Sequence, residues 1–467
     1  MHVRHPSSAL RRPGWSARLV ECLTLMGLIA NVQAANLLEV MARAEQADPV
    51  YREAQATALA VAEEIPQAKA QLWLPSIGFT AGGSHVDQSI TTDFNFGVGG
   101  EVAFQNYDYR LTLSQPVFHQ ERYVRLRQAH KRVQQSQAEL DAAWQDLMLR
   151  VAERYFGVLA AQDDLVFAQA ETEALHGQLE QATQRFEVGL IAITDVQEAQ
   201  AGFDRARARE IAARNALENA EEALHEITGE TPEALAPLGD ALSLVPPEPD
   251  DVSQWTERAL TGNLDIRAAQ TATEIALAEI DAQQAGHLPS LDISGSRGVT
   301  SQGGRFGKTE IEGGEIGMRV TIPPYEGGSV VSRTREARHQ HDAAVERLER
   351  ARRAAYRQTR EAFLGILSEM SSVKALAQAV KSSATAVEST RAGFEVGTRT
   401  TIDVVTAERG LSLARRDYAL ARYQYTLNRL RLKRATGSLD TDDLAATNTW
   451  LDEAHPVSLL PAPPAQP

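Results

Sequence analysis

The tetrapeptide Phe-Glu-Val-Gly occurs twice in this chain of 467 residues, at 186–189 and again at 394–397. An Asp-Val pair follows each copy at the same distance, beginning at Asp195 and at Asp403. Two more segments recur in the same order: 74–76 (Leu-Pro-Ser) at 288–290 and, more loosely, 116–118 (Pro-Val-Phe) at 323–325. Two copies of about 210 residues, in place of many copies of 20 to 50, predict one duplicated architecture with a pseudo-twofold relation between its halves.

The N-terminus has the pattern of an export signal. Four arginines precede an apolar stretch at 23–30, and Val32-Gln33-Ala34 supplies the small-residue cleavage pattern. Residues 1–34 are therefore predicted to be a signal peptide. Cleavage after Ala34 also removes Cys22, the only cysteine, so neither a disulfide framework nor a thiolate metal site is expected in the mature protein.

Beyond the signal, no stretch approaches the 18 consecutive apolar residues that a transmembrane helix needs, so any membrane insertion is expected to use strands. The exported chain then belongs to the periplasm or the outer membrane. The net charge of −15 argues against nucleic acid as a partner. The same acidity serves either solubility or a wall that favours cations.

Two long segments predict helix. No proline occurs between Pro116 and Pro232 or between Pro324 and Pro456, and both segments are rich in Ala, Leu, Gln, Glu and Arg. In the first, residues 147, 151, 155 and 158 form one apolar stripe. An unbroken helix from about 117 to 186 would reach about 100 Å, so it must pack against neighbours of similar length.

The helical pattern pauses at Gly189 and at Gly397, which are predicted to form turns. The carboxylates of Asp195 and Asp403 follow, and they are suited to N-capping the helix that returns. Each half is therefore predicted to contain a very long helical hairpin, at about 117–228 and about 325–436.

Upstream of each hairpin the periodicity changes to two. Apolar side chains at 107, 109, 111 and 113 alternate with polar ones, as do those at 316, 318, 320 and 322. With weaker partners at 77–81 and 291–294, they predict strand pairs at about 74–116 and about 288–323, each strand about ten residues long. Four two-faced strands suit a membrane barrel but cannot close one, so several chains must contribute. A soluble sheet covered by helices is the alternative.

The remaining segments define the predicted organisation. The first structural repeat spans 35–230 and the second spans 252–436, joined by a Pro- and acid-rich linker at 231–251. A C-terminal segment at 437–455 precedes a tail at 456–467 that is predicted to be disordered. No catalytic constellation, cofactor motif or metal cluster is recognised; His339 and His341 lie in a charged helical stretch that is typical of solvated side chains.

Two segments carry a resemblance to a known family: QRFEVGLIAITDVQ at 184–197 and VGTRTTIDV at 396–404, with GHLP at 286–289 also close. Over nearly all of its mature length the chain resembles the TolC family of trimeric outer-membrane exit ducts. The resemblance implies a homotrimer with a twelve-stranded barrel in outer-membrane lipid, continued by an α-helical coiled-coil tunnel across the periplasm to a tapered, gated entrance.

The resemblance also implies partners. The duct would dock an inner-membrane ABC or proton-driven transporter through a periplasmic adaptor, and would export drugs, small toxic molecules or type I secreted proteins. The fold class expected is mainly α with a transmembrane β-barrel portion and two internal repeats. The alternative function is a soluble periplasmic coiled-coil scaffold.

By the same resemblance, polar bonds between neighbouring hairpins hold the entrance shut, and the matching residues are Thr194, Asp195 and Arg399. An arginine can fork onto a carboxylate and a hydroxyl at once. Without the resemblance, Asp195 reads as a cap and Arg399 as a solvated side chain. Phe394 stands where the family has a gate tyrosine, so the ring is kept and the hydroxyl bond is lost.

Asp403 matches the first acidic residue of the family's entrance constriction. Three copies around one axis would attract cations and raise one another's affinity for protons. Thr406 stands where the family has a second acidic ring. Weaker cation selectivity than in a duct with both rings is therefore expected.

Overall fold

The computed structural model describes residues 34–91, 100–239, 242–304 and 306–459. The predicted signal peptide lies outside these residues except for Ala34. The helices in chain order are α1 (Leu37–Ala47), α2 (Pro49–Ala62), α3 (Glu64–Trp73), α4 (Gln120–Glu187), α5 (Ile193–Thr228), α6 (Val252–Gly262), α7 (Leu264–Gln284), α8 (Ser329–Glu395), α9 (Thr401–Ala435) and α10 (Thr441–Asn448). The strands are β1 (Ser76–Ile90), β2 (Gly100–Phe118), β3 (Ala234–Leu235), β4 (Ser290–Gln302), β5 (Thr309–Thr321) and β6 (Val457–Ser458).

Two helices dominate the architecture. Helix α4 has 68 residues and α8 has 67, and each forms a hairpin with the shorter helix that follows it. At 1.5 Å per residue both extend about 100 Å, as the proline-free segments predict. Helix α4 packs against α7 on one side, and α7 packs in turn against α8. Helix α9 of the second hairpin also packs against α4, so the two halves share a seam.

The four long strands form one antiparallel sheet in the order β1-β2-β4-β5. The register places Ile77 opposite Leu113 and Phe79 opposite Leu111, and it places Ile293 opposite Met318. Directly opposed residues share a face, so these side chains form one apolar surface, which is exposed in the chain. Thr80, Arg110 and Thr112 lie on the other face, as the period-two pattern predicts.

The strands are longer than predicted, with 15, 19, 13 and 13 residues in place of about ten. The alternation of apolar and polar side chains fades toward the loops, although the backbone ladder continues there through Gly, Ser, Thr and charged residues. Sequence periodicity reports burial of side chains, whereas strand length depends on backbone hydrogen bonds.

The main apolar core surrounds the middle of α4. Tyr155 and Phe156 are almost completely buried there, in a cluster with side chains of α1, α5, α9 and α10. The Tyr155 hydroxyl lies 2.6 Å from the carbonyl oxygen of Ala236 and 3.2 Å from that of Ala35, which ties α4 to the segments on either side of the first hairpin.

The prediction of a disordered tail from residue 456 is wrong for its first residues. Val457 and Ser458 form β6, which pairs with Ala234 and Leu235 of β3. Leu459 is buried, and its N–H donates to the carbonyl of Glu233. A two-residue strand can form here because β3, more than 200 positions earlier in the chain, offers backbone groups for pairing, and local composition does not reveal such a distant partner. Residues 460–467 lie outside the described chain.

Among the described residues, no helix is both long and apolar enough to cross a membrane.

Candidate functional site at the hairpin ends

Both hairpins turn through the same backbone motif. Gly189 and Gly397 each have φ of 78°, a left-handed backbone conformation that is energetically unfavourable for residues other than glycine. The N–H of Leu190 donates to the carbonyl of Arg185, and the N–H of Thr398 donates to that of Gly393. These six-to-one bonds are the Schellman termination of a helix. Gly189 and Gly397 lie where the two helices end in the structure.

The capping of the returning helices differs from the prediction. The residues at the N-cap positions are Ala192 and Thr400, and the two aspartates lie three positions later. Asp403 Oδ2 accepts from the Thr400 N–H at 2.8 Å while the Thr400 hydroxyl accepts from the Asp403 N–H, which completes a capping box. Asp195 Oδ2 accepts from the Ala192 N–H at 3.3 Å, and alanine has no side-chain acceptor to return the bond.

The capping box sets the charge of Asp403 within one chain. The backbone N–H and the hydroxyl of Thr400 hold the pKa of this carboxyl below its usual range, and the nearby Arg399 acts in the same direction. The sequence predicts the opposite direction for a ring of three such carboxylates. Within the single chain, the local hydrogen bonds keep Asp403 ionised.

The predicted latch residues lie at the ends of different hairpins. Thr194 and Asp195 are in the first turn of α5, and Arg399 is in the turn before α9; all three are exposed. Among the described side chains, no hydrogen bond or ion pair joins Arg399 to Thr194 or Asp195 within the chain. The structure thus leaves both sides of the predicted latch open to solvent or to a neighbouring copy.

The two remaining predicted residues also lie at the second hairpin. Phe394 is 39% exposed, close to the 40% of Phe186 at the equivalent position of the first hairpin. Thr406 is exposed one turn after Ile402, whose carbonyl accepts its hydroxyl at 2.7 Å. The side chain of Thr406 is uncharged, so it adds no second negative charge next to that of Asp403.

Sequence reasoning missed the contacts along the seam between α4 and α9. Glu153 pairs with Arg431 at 2.8 Å, and the Asp163 carboxylate accepts a bond from Tyr423 at 2.9 Å. Nearer the hairpin ends, Glu171 pairs with Arg409 at 2.9 Å. Acids on α4 and bases on α9 are both visible in the sequence. Their partners are not, because pairing depends on how the two helices are rotated and staggered.

Within the residues that the structure describes, no group of three or more His, Cys, Asp or Glu side chains is placed to hold a metal ion. His339 and His341 lie on α8 beside Asp342, at 3.9 Å and 3.8 Å from its carboxylate.

Each half of the chain contains a strand pair and a long hairpin, and both hairpins turn through the same backbone motif. The family model described as "Outer membrane efflux protein" matches residues 40–230 and 255–438, one match for each half. The chain belongs to this family. It is a family of outer-membrane transport proteins, and the predicted location and the predicted resemblance are confirmed.

Curated relatives agree over most of the chain. The outer membrane protein TolC of Escherichia coli (strain K12) is 34% identical over 458 residues, which cover 95% of this chain and 91% of the relative. TolC of Vibrio cholerae is 36% identical over 433 residues, covering 91% and 96%. The alkaline protease secretion protein AprF of Pseudomonas aeruginosa is 30% identical over 344 residues, covering 73% and 72%.

Solved structures share the fold at lower identity. The outer membrane channel CmeC of Campylobacter jejuni aligns with a TM-score of 0.73 at 17% identity, covering 96% of this chain and 98% of that one. The MtrE channel of Neisseria gonorrhoeae, solved in an open state, aligns with a TM-score of 0.65 at 19% identity, covering 87% and 90%. The predicted fold class of this efflux-family chain, mainly helical with a sheet portion, is confirmed.

Proposed function

We propose that this chain is the outer-membrane channel-tunnel of a tripartite export system, a passive duct that opens at its hairpin ends. The observation that carries the proposal is the uncovered apolar face of the sheet. Ile77, Phe79 and Leu111 are 68%, 68% and 50% exposed on it, and Ile316 on the same face is 89% exposed. An apolar surface of this extent is unfavourable in water and suits contact with lipid.

Aromatic side chains border this face at both ends. Tyr107 and Tyr109, with ring centroids 5.8 Å apart, lie at one end. Trp73, Phe118 and Tyr123 cluster at the other. The nine residue-to-residue steps of β2 from Tyr109 to Phe118 rise about 30 Å, or roughly 23 Å along the membrane normal for a tilt of about 40°. This height matches the apolar band of an outer-membrane barrel between its aromatic girdles.

The proposed assembly is a homotrimer, and the number of strands in one chain supports closure by several copies. The sheet of one chain ends in the unpaired edges of β1 and β5, and four strands are too few to close a barrel. Three copies would supply twelve, and closure would pair each β1 with the β5 of a neighbour. Closure would pair the exposed strand edges, and insertion of the barrel would place the exposed apolar face against lipid.

The entrance would be held shut by Arg399 on one hairpin and by Thr194 and Asp195 on another. Asp195 uses one oxygen on a long bond of 3.3 Å to Ala192, so its other lone pairs are free to accept from a guanidinium. Such exposed, charge-assisted bonds bias a two-state element without locking it. MtrE was solved in an open state, so this fold has an open form in at least one protein.

The partners proposed are a periplasmic adaptor and an inner-membrane ABC or proton-driven transporter, which would supply the energy. Drug efflux and type I secretion use the same passive duct in this proposal. The relatives include an outer membrane efflux protein, BepC of Brucella suis, and the protease secretion proteins AprF and PrtF. The transporter, and not this chain, would select the cargo.

The test is single-channel recording of the purified protein in a planar lipid bilayer, with trimer content measured on unheated gels. Small, cation-selective, long-lived steps from a heat-sensitive trimer are expected. Full release of the protein by osmotic shock, without detergent and without channel activity, would instead support a soluble periplasmic scaffold.

A further inference from the structure

The seam between the two hairpins changes character along its length. In the middle of α4 it is apolar, and the buried cluster there extends as far as Leu165 on α4 and Tyr423 on α9. Toward the hairpin ends, the described contacts across the seam are ion pairs, Asp164 with Arg416 and Glu171 with Arg409. Near their turns, the two hairpins are therefore joined by ion pairs and not by an apolar core.

A cavity of about 580 Å³ separates the hairpins at this level. Phe167 of α4, Val387 of α8 and Val405 of α9 line it together with Glu171 and Arg409. Close packing would make separation of the helices expensive, because every lost contact costs dispersion energy. The cavity leaves few such contacts to lose.

Glu171 makes two unequal contacts. Its side chain is only 12% exposed, and Oε2 accepts a hydrogen bond of 2.6 Å from Arg209 of its own hairpin. Oε1 lies 2.9 Å from Nε of Arg409 on the other hairpin, yet the N–H does not point at it, so this contact is an ion pair without an aligned hydrogen bond. The bond within the hairpin is the better one, and the bond between hairpins is the looser one.

We propose that Glu171 is a positioning residue of the entrance: through Arg409 it holds the second hairpin against the first in the closed state, and through Arg209 it stays neutralised when the hairpins separate. The proposal rests on the hairpin movement proposed above. A buried carboxylate that loses its only partner is strongly destabilising. Arg209 removes that penalty, so the clamp can release repeatedly.

Two charged residues near the clamp, Glu408 and Arg391, pair with each other. Glu408, next to Arg409, is held by Arg391 at 2.5 Å, and that pair lies within the second hairpin. Arg391 faces the same cavity as Arg409 but makes no described contact with the first hairpin. It therefore provides a matched control, an arginine at the same level whose loss leaves the seam intact.

The experiment measures the open fraction and conductance of purified trimers in planar bilayers at about 0.1 M and about 1 M salt. Arg409→Gln should raise the open fraction about two- to fivefold at low salt, as expected for one partly exposed ion pair. Glu171→Gln should raise it further, because Arg209 and Arg409 then face each other without a carboxylate. The double variant should fall between the two single ones, and high salt should shrink all three effects.

Arg209→Gln should act in the opposite direction. Without Arg209, the main remaining partner of Glu171 is Arg409 on the other hairpin. Opening would then leave the negative charge of Glu171 without a partner, so the open fraction should fall below that of the wild type. A residue that only stabilises the fold would not produce effects of opposite sign at the two arginines. Arg391→Gln should behave as wild type.

Wild-type conductance of both Glu171→Gln and Arg409→Gln, in trimers of normal yield, would overturn the clamp while leaving the channel in place. An equal rise in Arg391→Gln would overturn it too. If Glu171→Gln fails to assemble, the opposed signs of the two arginine variants still decide the question. Failure of the unmodified protein to form channels would contradict the proposed function instead.

Discussion

Tyr423 on α9 donates a hydrogen bond of 2.9 Å to the carboxylate of Asp163 on α4, at the point where the apolar part of the seam between the two halves ends. Burial raises the pKa of Asp163 above its ordinary value, and the bond from Tyr423 opposes that shift. Tyr423 is buried, and its ring lies on that of Phe156 with centroids 5.6 Å apart. This hydrogen bond and this ring contact join two long helices from different halves of the chain.

The Asp163 carboxyl should make stability depend on pH. Its folded pKa is raised, so its favourable contribution is complete below the unfolded pKa of about 3.9 and is lost as the pH rises through the folded value. Asp163→Asn keeps an acceptor for Tyr423 and stays neutral, so it should unfold at a higher temperature than wild type at pH 7 and at the same temperature near pH 4. Circular dichroism melts of the trimer measure this.

Tyr423→Phe should destabilise the protein by about 1–3 kcal/mol, because it leaves a mostly buried carboxylate without its donor. The neighbouring Asp164 is 43% exposed and paired with Arg416, so Asp164→Asn is the control and should change stability by at most about 1 kcal/mol. Equal effects of the two asparagine variants would contradict the assigned role of burial.

Arg399→Ala should remove the proposed bonds to Thr194 and Asp195 and raise the open fraction of the free trimer. A loss of about 1.4 kcal/mol corresponds to a tenfold change. Single-channel recording measures it. Arg207→Ala on α5 is the control, since that side chain is exposed and makes no described ion pair. Unchanged openings in Arg399→Ala would reject this latch.

Phe394→Tyr should tighten the closed state, because it would place a hydroxyl where the resemblance predicts a gate tyrosine. The open fraction should fall severalfold, in line with about 0.5–1.5 kcal/mol for a new hydrogen bond. Phe186→Tyr supplies a control at the equivalent position, with 40% exposure against 39%. If both substitutions act alike, the hydroxyl has only a general effect on packing.

Asp403→Asn should lower the preference for cations while leaving the trimer intact, since the carboxylate is proposed to act on ions. Thr406→Asp should raise that preference and increase block by multivalent cations, because it adds a second ring one turn away. Reversal potentials in a salt gradient measure both. Loss of the trimer in Asp403→Asn would indicate that its bonds to Thr400 matter more than its charge.

Gly397→Ala should weaken the turn by about 1–2 kcal/mol, because φ of 78° is unfavourable for alanine although nothing lies within 4 Å of the added carbon. Amide hydrogen exchange around the turn should quicken by a factor of about 5–30. Gly410→Ala, inside α9 and equally free of contacts, should slow exchange there. Similar acceleration at both positions would point to a general loss of order.

Much of this fold is readable from the sequence. The positions of Gly189 and Gly397, the absence of proline and the switch of period at the strands predict both hairpins and all four long strands. Each of these signals is local, because turns, helices and half-buried strands depend on residues a few positions apart. The capping residues were assigned wrongly for a related reason. An aspartate suits the N-cap position, and it also suits the third helical position, where Asp403 accepts the N–H of Thr400 in a capping box.

The duplication, the lengths of the long helices, the two-faced strands and the resemblance to the family are all legible in the sequence. The tertiary structure decided which charges meet. Glu171 and Arg409 are about 240 positions apart, and a rotation of either helix by one residue, about 100°, would point one of them away from the seam. Nothing within a single helix specifies that rotation, since it follows from how the buried side chains of α4 and α9 fit around Tyr423 and Phe156.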